Sequence, residues 1–205
     1  MKILIVYYSM YGHVLKMARA VAEGAGSLSG AEVSLRRAAD FAEVTEKIEQ
    51  DDYARPVMAE QKDIPICTPD DLKQADGIVF GTPTRYGVMT AQMKRLIDST
   101  VQLWINGDLE GKPAGLFTST ATSHGGQETT LLTSMVPLLH LGMILVGVPY
   151  STPGMLHSEG RGGTPYGAST LAGQTNELKP FPEDLEIAKA LGARVASIAE
   201  KLMNK

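Results

Sequence analysis

The sequence predicts an α/β fold: a doubly wound parallel sheet of five strands, in the order 2-1-3-4-5, with helices on both faces. Three observations predict it. Short apolar runs that read as strands alternate with amphipathic stretches that read as helices. Gly77-Ile78-Val79-Phe80-Gly81 is apolar throughout, as in a strand covered on both faces. The first strand empties into Ser9-Met10-Tyr11-Gly12-His13-Val14, a hydroxyl-and-glycine turn that leads straight into a helical pattern.

The elements follow in order. Residues 2–8 form the first strand. Helix one spans 14–28, where Val14, Met17, Ala18, Val21, Ala22 and Ala25 make one buried face. Strand two spans 32–36. Asp40, with Glu43 three residues on, has capping-box spacing and predicts a short helix whose inner face is Phe41, Val44, Thr45 and Ile48. Residues 50–67 are polar and aperiodic, and read as a surface excursion. Thr68-Pro69-Asp70-Asp71 is a helix start, with Thr68 as cap and Pro69 in the first position.

Strand three spans 77–81. One helix follows, with Met93, Leu96, Ile97, Thr100, Val101 and Trp104 in step. Strand four spans 113–119. Helix four spans 127–141, and Pro137 inside it predicts a kink or a shortening that costs about 3 kcal/mol in a regular helix. Strand five spans 143–148. Residues 150–181, rich in Gly, Pro, Ser and Thr, read as a long functional loop. The last helix spans 183–202.

The 205 residues, 43% apolar, suit one domain over 1–205. Net charge is only −4, with no Lys/Arg run, so no nucleic-acid partner is expected. The strong acidity of a dedicated protein-to-protein electron carrier is also missing. Cys67 is the lone cysteine, which excludes an internal disulfide and fits a reducing, cytoplasmic setting. The first residues enter a strand at once, so no signal peptide is expected. Residues 131–150 have the length of a membrane span, but Pro137, His140, Gly142, Gly147 and Pro149 interrupt them, so no membrane insertion is expected. No spacing of His and acidic residues matches a metal site, so none is expected.

In the 2-1-3-4-5 order the loops after strands one, three and four meet at one sheet edge, the switch point where ligands bind. The first loop offers the Ser9 hydroxyl and the N–H groups of a helix start, which attract an anion without needing a lysine. The lack of a lysine there points to a monophosphate ester. Thr84-Arg85-Tyr86-Gly87 offers backbone amides and an aromatic ring. The hydroxyl-rich run from Ser119 to His124 ends in Gly125-Gly126, which lets backbone approach a flat ring. A ligand with one phosphate end and one planar, hydrogen-bonding end fits, and flavin mononucleotide (FMN) has that shape. Several of these residues have plainer readings. Arg85 is equally at home as a surface charge, Trp104 as a core or interface aromatic, His140 as a helix C-terminal residue and His13 as a cap. His157 reads as surface.

Tyr7-Tyr8-Ser9-Met10-Tyr11-Gly12-His13, Gly81-Thr82-Pro83-Thr84-Arg85-Tyr86-Gly87, Gly125-Gly126-Gln127-Glu128-Thr129 and Arg161-Gly162-Gly163-Thr164-Pro165-Tyr166-Gly167-Ala168 together resemble the WrbA family of flavodoxin-like NAD(P)H:quinone oxidoreductases. The resemblance covers nearly the whole chain, and ordinary flavodoxins lack the last motif. It implies that Ser9, Met10, Tyr11, Gly12, His13 and Val14 bind the FMN phosphate, with Tyr11 also near the nicotinamide nucleotide. It implies that Thr84, Arg85 and Tyr86 hold the ring and its pyrimidine edge. Ser119, Thr120, Ala121, Thr122, Ser123 and His124 would flank the other side, Trp104 would face the substrate, and His140 would contact the flavin. Where the family is richer in glycine, this chain has Ala121-Thr122-Ser123-His124 and one extra residue. Residues 50–63 align with nothing in the family, so no role is carried there.

The resemblance further implies a homotetramer, with a homodimer as the alternative, and cofactor pockets completed by neighbouring subunits. The implied reaction is two-electron reduction of quinones by NADH or NADPH, in ping-pong fashion. A one-electron carrier and a non-enzymatic flavin-binding module remain as rivals. The fold alone separates neither from an enzyme.

Overall fold

The computed structural model describes residues 1–157 and 163–203. Its centre is one parallel sheet. The strands are β1 Lys2–Tyr7, β2 Glu32–Arg37, β3 Gly77–Pro83, β4 Pro113–Thr120, β5 Ile144–Leu145 and β6 Ala168–Leu171. The order β2-β1-β3-β4-β5 matches the expected 2-1-3-4-5, and β6 also pairs with β4. Every ladder is parallel.

The helices are α1 His13–Gly26, α2 Ala42–Gln50, α3 Ala54–Glu60, α4 Pro69–Gln74, α5 Ala91–Asp98, α6 Val101–Asn106, α7 Gln127–His140 and α8 Pro182–Met203. Side chains alternate across the sheet, so each central strand feeds two cores. Ile3, Ile5, Tyr7, Val79 and Phe117 pack with α1 and α8. Leu4, Val6, Tyr8, Ile78, Phe80 and Leu116 pack on the other face with Met93, Leu96 and Leu138. Each such buried aliphatic contributes about 1.5–3 kcal/mol. No helix among the described residues is long and apolar enough to cross a membrane.

Four expectations need correction. First, the fifth strand is split. Only Ile144 and Leu145 pair with the start of β4, and β6 continues the same edge beside Phe117–Thr120. Val148 donates to the Pro165 carbonyl, 3.1 Å away, and the chain leaves the sheet. The 150–181 stretch is therefore not all loop. Gly167 shows why the late motif is glycine-rich: a Cβ there would sit 2.2 Å from the Leu116 carbonyl oxygen, so only glycine lets the chain reach β4. Thr164 and Gly167 bond reciprocally to close the turn before β6. Arg161 and Gly162 of that motif lie outside the described residues.

Second, Asp40 caps no helix. α2 starts after Phe41 without a side-chain cap, and Asp40 instead accepts from Tyr8 and Gln92. Third, the helix after β3 is two helices. Ser99 and Thr100 donate their hydroxyls to the Leu96 and Ile97 carbonyls, which ends α5 before α6 begins. Fourth, residues 50–67 include α3 and press on the first loop, as described below. Thr68 caps α4 with Pro69 in its first position, as read, and the Asp71 side chain bonds back to complete a capping box. Pro137 sits inside α7, which runs on to His140.

Candidate cofactor site

A cleft of about 160 Å³ opens at the carboxyl edge of the sheet, where the loops after β1, β3 and β4 meet. Its walls include Ser9, Met10, Tyr11, His13 and Val14 from the first loop, Thr84 and Arg85 from the third, and Ser119, Thr120 and Ala121 from the fourth. The three loops that the sequence singled out thus meet at one place, though not with every residue expected there.

The first loop is built as an anion cradle. Gly12 has φ of +90°, a left-handed turn that swings the chain into α1. Ser9 Oγ is buried and accepts from the N–H groups of Gly12 (3.2 Å) and Leu15 (3.1 Å). Its own proton remains available to donate. The N–H groups of Met10, Tyr11, His13 and Val14 have no acceptor among the described residues. Four free donors, one hydroxyl and the positive end of a 14-residue helix converge on the cleft.

Sequence reasoning missed what braces this cradle. Gln61 is buried and donates its amide to the Ser9 carbonyl at 2.8 Å. Val57 covers Gly12, where an added Cβ would lie 3.2 Å from Val57 Cγ2. Tyr11 donates to Asp51 at 3.4 Å. Burial, then Asp51, push the Tyr11 phenol above its ordinary range, so it stays protonated. Asp51 in turn accepts from the Tyr53 and Ala54 N–H groups, which hold its carboxyl below its usual value. The one available signal was the spacing of Val57 and Gln61, one helical turn apart.

The third loop is braced by hydrogen bonds. Thr84 Oγ accepts from Gly87 N at 3.1 Å and from Thr130 Oγ at 2.7 Å, which ties it to α7. Arg85 and Val88 exchange backbone bonds around Tyr86 and Gly87, whose φ values are +55° and +79°. Asn-Gly is the usual occupant of such a turn, and a bulky residue at positive φ is strained. Tyr86 is held fully exposed there, beside the cleft and not in its wall. Of the fourth loop, Ser119, Thr120 and Ala121 line the cleft. Thr122, Ser123 and His124 are exposed and do not, because Thr120 Oγ and Gly125 N both bond the Thr122 carbonyl and curl the chain away.

Trp104 and His140 are also apart from the cleft. They share a separate groove of about 690 Å³ with Val88, Val101, Val136 and Pro137. α6 and α7 place them on an outer face, so neither reaches the cradle of its own chain.

His13, at the first turn of α1, brings Nε2 to 2.6 Å from the Leu178 carbonyl oxygen. A carbonyl only accepts, so Nε2 carries the proton. Burial lowers the His13 pKa, the Leu178 bond offsets this in part, and the ring is neutral at pH 7. Ala172 and Asn176, which no motif flagged, complete the cleft on that side.

The site fits a mononucleotide: its phosphate would meet the N–H donors at the start of α1, and the loops after β3 and β4 would flank its ring. Residues 1–154 match the family model described as NADPH-dependent FMN reductase. A protein of Geotalea uraniireducens named NAD(P)H dehydrogenase (quinone) is 50% identical over 205 residues, covering 98% of this chain and 99% of its own. One of the same name from Geobacter sulfurreducens is 50% identical over 207 residues, at 98% and 99% coverage. Among solved structures, a flavodoxin, WrbA-like protein from Agrobacterium tumefaciens is 25% identical with a TM-score of 0.67, covering 98% of each chain.

Proposed function

The chain belongs to the NADPH-dependent FMN reductase family, and from that premise we propose that it is an FMN-dependent NAD(P)H:quinone oxidoreductase. The observation that carries this reading is the cradle: four N–H groups with no partner among the described residues and the Ser9 hydroxyl at the N-terminus of α1, opposed by the loops after β3 and β4. When bound there, FMN supplies hydride acceptance from NADH or NADPH and hydride donation to a quinone.

The protein's own part is binding, orientation and exclusion of water. Ser9 and the N–H groups of Met10, Tyr11, His13 and Val14 hold the phosphate. Arg85, beside Tyr11, adds positive charge over the cleft. Thr84 and Ser119, joined through the Thr84 N–H to the Ser119 carbonyl at 2.9 Å, keep the two ring-facing loops at fixed separation. NAD(P)H and quinone take turns at the open end, which gives ping-pong kinetics.

The enclosed volume of about 160 Å³ is below the roughly 300–1,000 Å³ of a complete ligand pocket. We infer that further copies of the chain close the ring end, in a homotetramer, and that Trp104, His140 and Tyr86 act there across the subunit boundary. Their exposure in a single chain and the apolar groove beside them support this. A cytoplasmic setting is in keeping with the lone, buried Cys67.

Anaerobic stopped-flow tests the reading. The FMN-loaded protein is mixed with NADH, then with benzoquinone. Bleaching of the flavin band by NADH or NADPH and its full return on quinone addition are expected, with parallel lines in initial-rate plots. A loaded protein that neither nucleotide bleaches overturns it. Sedimentation velocity at micromolar concentration is expected to show a tetramer, and a persistent monomer overturns that assembly.

A further inference from the structure

The turn after β6 supplies a wall of the cleft that no motif announced. Ala172 and Asn176 line it. The turn is pinned at three points: Ala172 N donates to the Thr120 carbonyl (2.8 Å), Leu178 N to the Ala172 carbonyl (2.9 Å), and His13 Nε2 to the Leu178 carbonyl (2.6 Å). The last bond starts from the first residue of α1, so the turn is fixed against the phosphate end of the cleft.

Asn176 has φ of +63°. Glycine adopts that region without strain, and asparagine is among the few side-chain-bearing residues that tolerate it. A carboxamide is therefore present where the backbone alone favours glycine. It is half-buried, faces the cleft and hydrogen-bonds to no described residue. The neighbouring Glu177 carboxylate is occupied by Thr175, accepting from its N–H at 2.8 Å and its hydroxyl at 3.0 Å. Of the turn's polar side chains, the Asn176 amide is the one that lines the cleft with no partner among the described residues, and its NH2 can donate to an anion.

We propose that the Asn176 carboxamide donates to the phosphate end of the mononucleotide and so helps select phosphorylated over unphosphorylated flavin. This rests on reading the cleft as an FMN site. The full chain, stripped of flavin, is titrated with FMN and with riboflavin by quenching of flavin fluorescence. Asn176→Gly keeps the left-handed backbone and removes only the side chain. It is expected to raise the FMN Kd about tenfold and the riboflavin Kd less than about twofold, at unchanged melting temperature. Asn176→Asp, of equal size, places a carboxylate against the phosphate and is expected to raise the FMN Kd by about a hundredfold.

An FMN Kd for Asn176→Gly within about twofold of wild type overturns the proposal while leaving the cleft assignment intact. Equal weakening of FMN and riboflavin overturns the phosphate contact. A wild-type chain that binds no FMN overturns the cleft reading and this proposal with it.

Discussion

His13 Nε2 and the Leu178 carbonyl oxygen, 165 positions apart in sequence, meet at 2.6 Å and join the start of α1 to the turn after β6. The bond needs a neutral ring with its proton on Nε2, or a cation; burial disfavours the cation and lowers the folded-state pKa. The unfolded chain, with His13 near its ordinary value, therefore takes up this proton first as pH falls. Stability is fully present above about pH 6.5 and declines as pH drops from there through the lowered folded pKa. The flavin-free wild type should lose melting temperature over that window, and His13→Gln should lose less. Equal pH slopes for the two would contradict this.

Gly12→Ala tests the left-handed turn. An alanine at φ of +90° costs on the order of 1–2 kcal/mol, and its Cβ would press on Val57 at 3.2 Å. Urea denaturation should show a lower midpoint, and FMN should bind more weakly, because the four free N–H groups lose their common aim.

Gln61→Leu should weaken FMN binding without touching FMN. The amide holds the Ser9 carbonyl from behind, and its loss leaves that buried acceptor unpaired, a cost of about 1–3 kcal/mol. Equilibrium unfolding and an FMN titration should both register it. Gln61→Glu should be worse, since it brings a carboxylate towards a carbonyl oxygen and a phosphate.

Such braces mark the limit of what was legible. The sheet order, the Thr68 cap of α4 and the convergence of Ser9, Thr84 and Ser119 follow from local pattern: alternation, helix starts, and turn residues at strand ends. Gln61 on Ser9 and Asn176 on the cleft are contacts across tens of residues, and polar side chains carry no periodicity to announce them. Asp40 had the right spacing for a cap, yet long-range bonds to Tyr8 and Gln92 outweighed the local one. The split fifth strand turns on backbone contact at Gly167, for which a glycine in the sequence gives only a hint. Trp104 and His140 were legible as special but not as parts of an outer groove, because a helical pattern does not say which copy of the chain a face will meet.

Gly167→Ala should be strongly destabilising. Its Cβ would stand 2.2 Å from the Leu116 carbonyl oxygen, and backbone cannot yield as a side-chain tip can. β6 must lift from β4, so a loss of about 3 kcal/mol or more is expected in denaturant unfolding. Amide exchange at 168–171 should accelerate more than exchange in β1 and β3.

Asp40 Oδ1 accepts from Tyr8 Oη at 2.9 Å and from Gln92 Nε2 at 3.0 Å, which links the ends of β1 and β2 to α5. Tyr8 is nearly inaccessible, and burial followed by the Asp40 charge raises its pKa, so the phenol remains a donor. Asp40→Ala leaves that donor unpaired and should cost about 1–3 kcal/mol. Tyr8→Phe removes donor and need together and should cost less. In the double variant the orphaned hydroxyl no longer exists, so its loss should fall short of the sum of the two single losses by about 1 kcal/mol. A double-mutant cycle by urea unfolding measures this. Strict additivity would mean that Tyr8 and Asp40 are held in place by their packing, and that the bond between them contributes nothing to joining the two loops.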